Sequence, residues 1–397
     1  MKAIRFKDSL RNISKIDWLL VAFCCVPLIS GVLLAAQSSA YSEQLIGEPN
    51  YFFFRHLTWI FLAFISLLIF SLLNLQFIRR FSAIGFLMAV LLSIVALVLN
   101  NEAFSANRTL LSGSLDTGLL LQLTTIVYII AWICDQWQVI ETDPFFIILR
   151  VAFLLGISGG LIILAPDFGQ FVTLILIVMS LLVVVGVNWK IWITLAISSL
   201  LVFVLFIQLY PSGMERIQET WAAIINSPEI SLHLKSSFLS VNEGGLLGSA
   251  RSDPYLTLPF ALTDSSFSLL VNQFGLLGGI VLIVSYVFII LESYKISKHA
   301  QDPFSSLLAI GIGLKIAIEV SLHILVLLGL IPFVGLPLPL VSYGGSHLMV
   351  TFIEIGILIN ISRPSPLFVQ EVHRHEKRHE KAVSEHKIVA FLRKLLP

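Results

Sequence analysis

Charge is what this chain lacks. Of its 397 residues only 12% are Asp, Glu, Lys or Arg, about half of the ~25% that soluble domains carry. So few charges cannot clothe a water-facing surface, which excludes an ordinary soluble enzyme or binding module. Cysteine is scarce too. Cys24, Cys25 and Cys134 lie in or beside apolar runs, without a CxxC pair or a Cys/His cluster, so they read as small packing residues rather than as a disulfide or metal framework. The formal net charge is +1, and no nucleic-acid partner is expected.

What the chain has instead is apolar sequence: 57% of residues are hydrophobic and the mean hydropathy is +0.93. Runs long enough to cross ~30 Å of hydrocarbon fall near 17–36, 53–74, 81–99, 117–134, 146–164, 168–186, 189–208, 266–291, 304–330 and 338–361. They are continuously apolar rather than alternating, which points to helices and not to barrel strands. The expected fold is an all-α polytopic membrane protein of about ten transmembrane helices, with a long outer loop over 209–265 between the seventh and eighth. Residues 1–16 form a cytoplasmic leader and 362–397 a cytoplasmic tail, flanking a membrane domain over 17–361. The leader holds Lys2, Arg5, Lys7, Arg11 and Lys15, as a signal peptide would. The run behind it is full-length and lacks a clear small-residue cleavage site, so it is expected to be a retained first span.

Charge placement orients the bundle. With the N-terminus inside, 19 of the 25 Lys and Arg fall in inner segments and five in outer ones, with Lys315 inside a span. The positive-inside rule then puts both termini in the cytoplasm. Trp18, Trp132, Trp137, Trp189 and Trp192 are expected near the inner interface.

The 209–265 loop is more than a linker. Residues 214–225 read as an amphipathic helix on the membrane face. Asn242-Glu243-Gly244-Gly245-Leu246-Leu247-Gly248 follows, with glycines that permit tight turns or close approach to a ligand. In the tail, 388–396 reads either as an interfacial helix or as a solvated, frayed end. His373, His375 and His379 read as part of a solvated charged stretch.

Ionisable groups inside spans need a reason, because burying them costs several kcal/mol unless they are paired or hydrated. Lys315, Glu319 and His323 recur every four residues and so share one helix face; Glu354 lies at a similar depth in the last run. They could line a hydrated cavity, or Lys315 could pair with Glu319 or Glu354 to fix packing. Asp167, in Ala165-Pro166-Asp167-Phe168-Gly169-Gln170, could cap a helix or touch substrate. Between Leu330 and Ser346 three prolines preclude a helix, and irregular backbone at membrane depth must line a cavity or be buried in protein. Asp264 closes the loop and could cap the next helix through Thr263-Asp264-Ser265.

Taken together, Pro166-Asp167-Phe168-Gly169, Gly244-Gly245 with Gly248, Leu258-Pro259 with Thr263-Asp264, and Leu338-Pro339 with Ser342-Tyr343-Gly344-Gly345-Ser346 resemble the SEDS family of FtsW, RodA and SpoVE. The opening, with Asp17, Gly31, Ser38-Ser39-Ala40 and Phe52-Phe53-Phe54-Arg55-His56, looks more like the division-type members than the elongation type. The resemblance implies a peptidoglycan glycosyltransferase in the bacterial cytoplasmic membrane. It would polymerise lipid II, the undecaprenyl-pyrophosphate-linked disaccharide peptide, beside a class B penicillin-binding protein and other division proteins. Asp264 would be the general base, and Arg55 and Arg108 would hold pyrophosphate. Asp167, Gly244, Gly245, Ser342, Tyr343, Gly344, Gly345 and Ser346 would contact substrate. No resident cofactor is implied, and a divalent cation stays open.

The chain also departs from the family pattern. Phe260-Ala261-Leu262 stands where Glu-Ala-His is usual, and Asn272-Gln273 replaces a Glu-Glu pair. Asp116-Thr117-Gly118-Leu119 replaces Gln-Pro-Ser-Glu, and Gln122 takes the place of a Lys. A lipid II flippase, or a division scaffold with weakened catalysis, are the alternatives.

Overall fold

The computed structural model describes residues 17–99, 109–110, 115–136, 144–165, 167–209, 218, 232–249, 258, 260–331 and 335–363. The leader, Arg108, the 214–225 helix apart from residue 218, and the tail with its histidines therefore lie outside the described residues.

The chain runs through α1 (Trp18–Gln37), α2 (Ser39–Ile46), α3 (Tyr51–Leu72) and α4 (Leu75–Leu99). A small hairpin follows, β1 (Thr109–Leu110) paired antiparallel with β2 (Leu115–Asp116). Then come α5 (Thr117–Asp135), α6 (Pro144–Leu164), α7 (Phe168–Val185), α8 (Trp189–Leu209), α9 (Leu232–Gly244), α10 (Ser266–His299), α11 (Pro303–Leu327) and α12 (Gly345–Ser362). Among them, α1, α3, α4, α5, α7, α10, α11 and α12 are eight helices long and apolar enough to cross a membrane; α6 and α8 contribute shorter apolar stretches, Leu149–Leu164 and Trp189–Val202. The chain is thus an all-α polytopic membrane protein with eight long apolar helices, and every one of these helices overlaps an apolar run of the sequence.

Helix starts follow from local chemistry. Asp17, Asp116, Asp167 and Asp302 stand in extended backbone at the N-caps of α1, α5, α7 and α11, each carboxylate accepting from amides two or three residues on. Such caps satisfy donors that no preceding turn can reach, a strong demand in lipid, where water cannot substitute.

α5, α7, α11 and α12 are largely buried and form the centre, whereas α3 and α4 present most of their surface outward. α12 lies parallel to α3 at very short range. A Cβ on Gly345 would stand 2.3 Å from the Trp59 ring, and one on Gly356 would stand 2.7 Å from Leu67 O. Asn360 Nδ2 donates to Phe70 O (2.9 Å) and Leu73 O (2.5 Å), and Arg363 Nη1 donates to Ser71 O (3.0 Å), closing the carbonyls at the end of α3. Small residues that let backbones approach are the usual basis of helix pairing where no hydrophobic drive exists.

The bundle has two chemically distinct ends. One gathers the Arg79–Asp135 ion pair, Asp302 and Arg363. The other gathers Asp116, Asp264 and the Tyr343–Ser346 segment around a cavity. Trp18 and Trp189 are exposed, as interfacial anchors must be, but Trp132 is only 8% exposed and packs inside the bundle against Phe146.

α10 is broken. Gly275 takes φ 72° and ψ 179° inside it, and the glycine-rich turn after α9 docks in the break. Gly245 O accepts from Leu276 N (2.9 Å), and Ser249 N donates to Asn272 O (2.8 Å). A Cβ on Gly244 would lie 2.2 Å from Val271 O, so that position has no room for a side chain.

Candidate functional site

A cavity of about 330 Å³ opens at the end of the bundle opposite the Arg79–Asp135 pair. Asp264 lines it together with Tyr343, Gly344, Gly345 and Ser346. Four of the five residues of the closing Ser-Tyr-Gly-Gly-Ser motif therefore converge with the acid that precedes α10.

Asp264 sits in a tight turn built on Phe260. The Phe260 carbonyl accepts from Thr263 N (3.0 Å), Ser265 N (3.2 Å) and Thr263 Oγ1 (3.3 Å). Phe260 itself adopts φ 52°, a left-handed conformation that costs a non-glycine residue about 1–3 kcal/mol. Ser265, and not Asp264, occupies the N-cap of α10. The half-buried Asp264 lines the cavity, and a Cβ on Gly335 would stand 3.4 Å from its Oδ2.

The re-entrant segment before α12 holds this turn in place. Ser342 Oγ donates to Thr263 O (2.7 Å) and accepts from Leu338 N (2.7 Å), and Tyr343 N donates to Leu262 O (2.7 Å). Ser342 is 1% exposed; it fastens the site rather than facing its cavity. Ser346 Oγ accepts from Asp116 N (2.7 Å), joining the start of α12 to the start of α5. Tyr343 packs edge-on to Phe52 and stacks on His56. It lies in the irregular segment ahead of α12. Burial pushes its phenol up to about 12, the Arg55 charge pulls it back, and Tyr51 adds to the rise.

Arg55 is not among the residues that line the cavity, but its charge acts on Tyr343, which is. Its Nη1 donates to Tyr51 OH at 2.5 Å, and its guanidinium lies 5.6 Å from that ring's centroid. Asp167 caps α7 through Gln170 N at 3.0 Å and lines a small neighbouring cleft with Thr117 and Gly118. Gly244 and Gly245 pack on the break in α10. Arg108 lies outside the described residues.

Sequence reasoning allowed Glu319 a place on a cavity wall but missed the rest of the floor. Gln122, Gln170, Glu319 and His347 also line the cavity. Glu319 Oε1 pairs with Lys315 Nζ at 2.8 Å, and Glu354 takes the same ammonium at 3.1 Å. Glu319 Oε2 lies 3.9 Å from His347 Nε2. The Lys315–Glu319–Glu354 group is therefore both things the four-residue spacing allowed, a buried ion cluster and part of a cavity wall. His347 could have been found from its place in the first turn of α12, directly after the motif. Among the described residues no group of three or more His, Cys, Asp or Glu converges as a metal site.

The cell cycle protein family model FTSW_RODA_SPOVE matches residues 17–366. The chain belongs to this family. A probable peptidoglycan glycosyltransferase FtsW of Coxiella burnetii is 28% identical over 359 residues, covering 87% of this chain and 95% of that protein. The peptidoglycan glycosyltransferase MrdB of Helicobacter pylori is 30% identical over 219 residues, 54% of this chain and 56% of that one. The fold is shared with solved structures. Rod shape determining protein RodA of Thermus thermophilus superposes with a TM-score of 0.64 at 18% identity, covering 87% of this chain and 96% of that one. A chain from a peptidoglycan synthase complex, solved to show how polymerization and crosslinking are coordinated, superposes with a TM-score of 0.70 at 19% identity, covering 87% and 97%.

Proposed function

We propose that this family member is a peptidoglycan glycosyltransferase that polymerises lipid II at the outer face of the bacterial cytoplasmic membrane during cell division. The observation that carries this reading is the position of Asp264, which lines the cavity beside Tyr343–Ser346. A carboxylate that lines a cavity can meet a substrate hydroxyl there and take its proton.

In this reading all ten apolar helices cross the membrane, and both termini lie in the cytoplasm as the Lys/Arg bias requires. Asp264 then faces the periplasm. It accepts the proton of the acceptor sugar's 4-hydroxyl, the hydroxyl oxygen bonds to the anomeric carbon of the donor, and the bond from that carbon to the pyrophosphate breaks with its electron pair leaving on the phosphate. Direct displacement on an α-linked donor gives a β-1,4 bond. A positioned base contributes roughly 10²–10⁴-fold. Arg55, with Arg108, would take pyrophosphate oxygens by charge-assisted hydrogen bonds. A class B penicillin-binding protein and other division proteins at the septum are the expected partners.

The test is polymerisation of purified lipid II by the full-length protein in nanodiscs, with and without the candidate penicillin-binding protein. Wild type should form glycan strands and Asp264→Asn should not. Strand formation by Asp264→Asn would refute the assignment, and lipid II translocation without polymerisation would favour a flippase.

A further inference from the structure

The cavity floor carries hydrogen-bonding atoms that the described protein leaves unused. Gln122 is 1% exposed, and neither its Oε1 nor its Nε2 has a hydrogen-bond partner among the described residues. Gln170 is 5% exposed; its Nε2 donates to Asp116 Oδ2 at 3.0 Å, but its Oε1 has no such partner. Glu319 is 3% exposed; its Oε1 is taken by Lys315, while its Oε2 makes no hydrogen bond. All three side chains line one cavity. Buried polar groups in native proteins are nearly always satisfied, and leaving one unmade is costly. Several on one wall point to a ligand.

The atoms also say which chemistry. Three of the four unused atoms are acceptors, so a complementary group must bring donors. Sugar hydroxyls and an acetamido N–H do so, whereas a pyrophosphate brings only acceptors. Charge agrees. No Lys or Arg stands among the described lining residues, while Asp116, Asp264 and Glu319 all do. Lys315 is 1% exposed and enclosed by Glu319 and Glu354, so it offers no free cation to the cavity. An acidic wall repels an anion.

We infer that Gln122, Gln170 and Glu319 form a sugar-recognition subsite that takes the hydroxyl- and acetamido-bearing part of the lipid-linked substrate and keeps its pyrophosphate near Arg55. This rests on the glycosyltransferase reading and deepens it. The subsite divides the substrate by hydrogen-bond polarity, with donors inward and acceptors outward. Gln122, which stands where the family pattern has a Lys, leaves this wall with an amide in place of a cation.

The experiment compares two lipids on full-length protein in nanodiscs: lipid II, and undecaprenyl pyrophosphate, which has no sugar. Gln122→Met keeps the volume and removes the amide. It should bind lipid II about 10-fold more weakly, a change of ~1.4 kcal/mol, bind undecaprenyl pyrophosphate as wild type does, and melt no lower than wild type. Gln122→Asn withdraws the amide by one methylene and should fall between, which keeps the test decisive should the Met variant misfold. Equal losses for both lipids, or no loss for either, would overturn the subsite. Wild type that polymerises lipid II while Gln122→Met matches its affinity sinks the subsite alone; wild type that neither binds nor polymerises lipid II sinks the glycosyltransferase reading and the subsite together.

Discussion

The Ser342 hydroxyl donates to the carbonyl of Thr263 across 2.7 Å, joining two segments 79 residues apart in the chain. Ser342 has one proton. With that proton on Thr263 O, the 2.7 Å contact between Ser266 Oγ and Ser342 Oγ must run with Ser266 as donor, and Leu338 N supplies a second bond to the same oxygen. One hydroxyl thus orients the residue before Asp264, the first residue of α10 and the re-entrant segment. Ser342→Ala leaves the Leu338 amide and the Thr263 carbonyl unmet, at about 1–3 kcal/mol for each buried group. The expected outcome is a lower melting temperature with a loss of polymerisation larger than the unfolded fraction explains. A variant that melts lower yet keeps full turnover would show that the clip is structural only.

Lys315 bridges two buried carboxylates, Glu319 at 2.8 Å and Glu354 at 3.1 Å. Removing it strands both, and breaking a buried pair costs about 3–5 kcal/mol. Lys315→Met should therefore melt far below wild type. The triple variant Lys315→Met, Glu319→Gln, Glu354→Gln removes the charges together and should recover most of the loss. Equal melting of the single variant and wild type would mean that water, rather than the ammonium, carries the glutamates.

The helices were legible because lipid demands continuous apolar runs, and the runs were long. Asp264 and the Tyr343–Ser346 motif stood out because both lie in polar breaks between those runs, and they line one cavity; the roles expected of them came from the family resemblance. What could not be read was which polar residues face one another across helices. Gln170 and Gln122 sit on α7 and α5, which are consecutive in neither sequence nor function, and only packing brings them to one wall. The roles of Asp167 and Asp264 were undecided for a local reason. Both precede a helix and both suit an N-cap; Asp167 takes that role, whereas at α10 the N-cap position falls on Ser265 and Asp264 lines the cavity. That Trp132 is covered by other side chains could not be read, because an aromatic near the end of a run looks the same whether it meets a headgroup or another helix.

Gly275 combines φ 72° with a Cβ position 2.2 Å from Leu246 O. Both backbone strain and collision therefore oppose any side chain there. Gly275→Ala should unseat the 244–248 turn from α10. Limited proteolysis is expected to cut the α9–α10 region of the variant faster than wild type. The transmembrane helices, monitored by circular dichroism, should stay intact. Unchanged cleavage would show that the break in α10 does not depend on glycine.

Tyr343 offers a way to separate stability from chemistry. Its hydroxyl is buried and has no hydrogen-bond partner among the described residues, although the side chain lines the cavity. Tyr343→Phe therefore deletes an unmet group rather than a bond, and the resting protein should be unchanged or slightly more stable, by up to about 1 kcal/mol. The phenol, raised to about 12 by burial, is neutral at any cellular pH and can only be a hydrogen-bond donor or acceptor, not an anion. Because the folded state favours the neutral form over the ordinary value of ~10, Tyr343 contributes fully below about pH 10. That contribution is lost as pH climbs through about 12. Wild type should accordingly lose melting temperature over this window relative to Tyr343→Phe, while the two converge below it. If the hydroxyl also meets substrate, the Phe variant loses turnover at pH 7 with no loss of melting temperature. A parallel fall in both would instead assign Tyr343 to packing against Phe52 and His56.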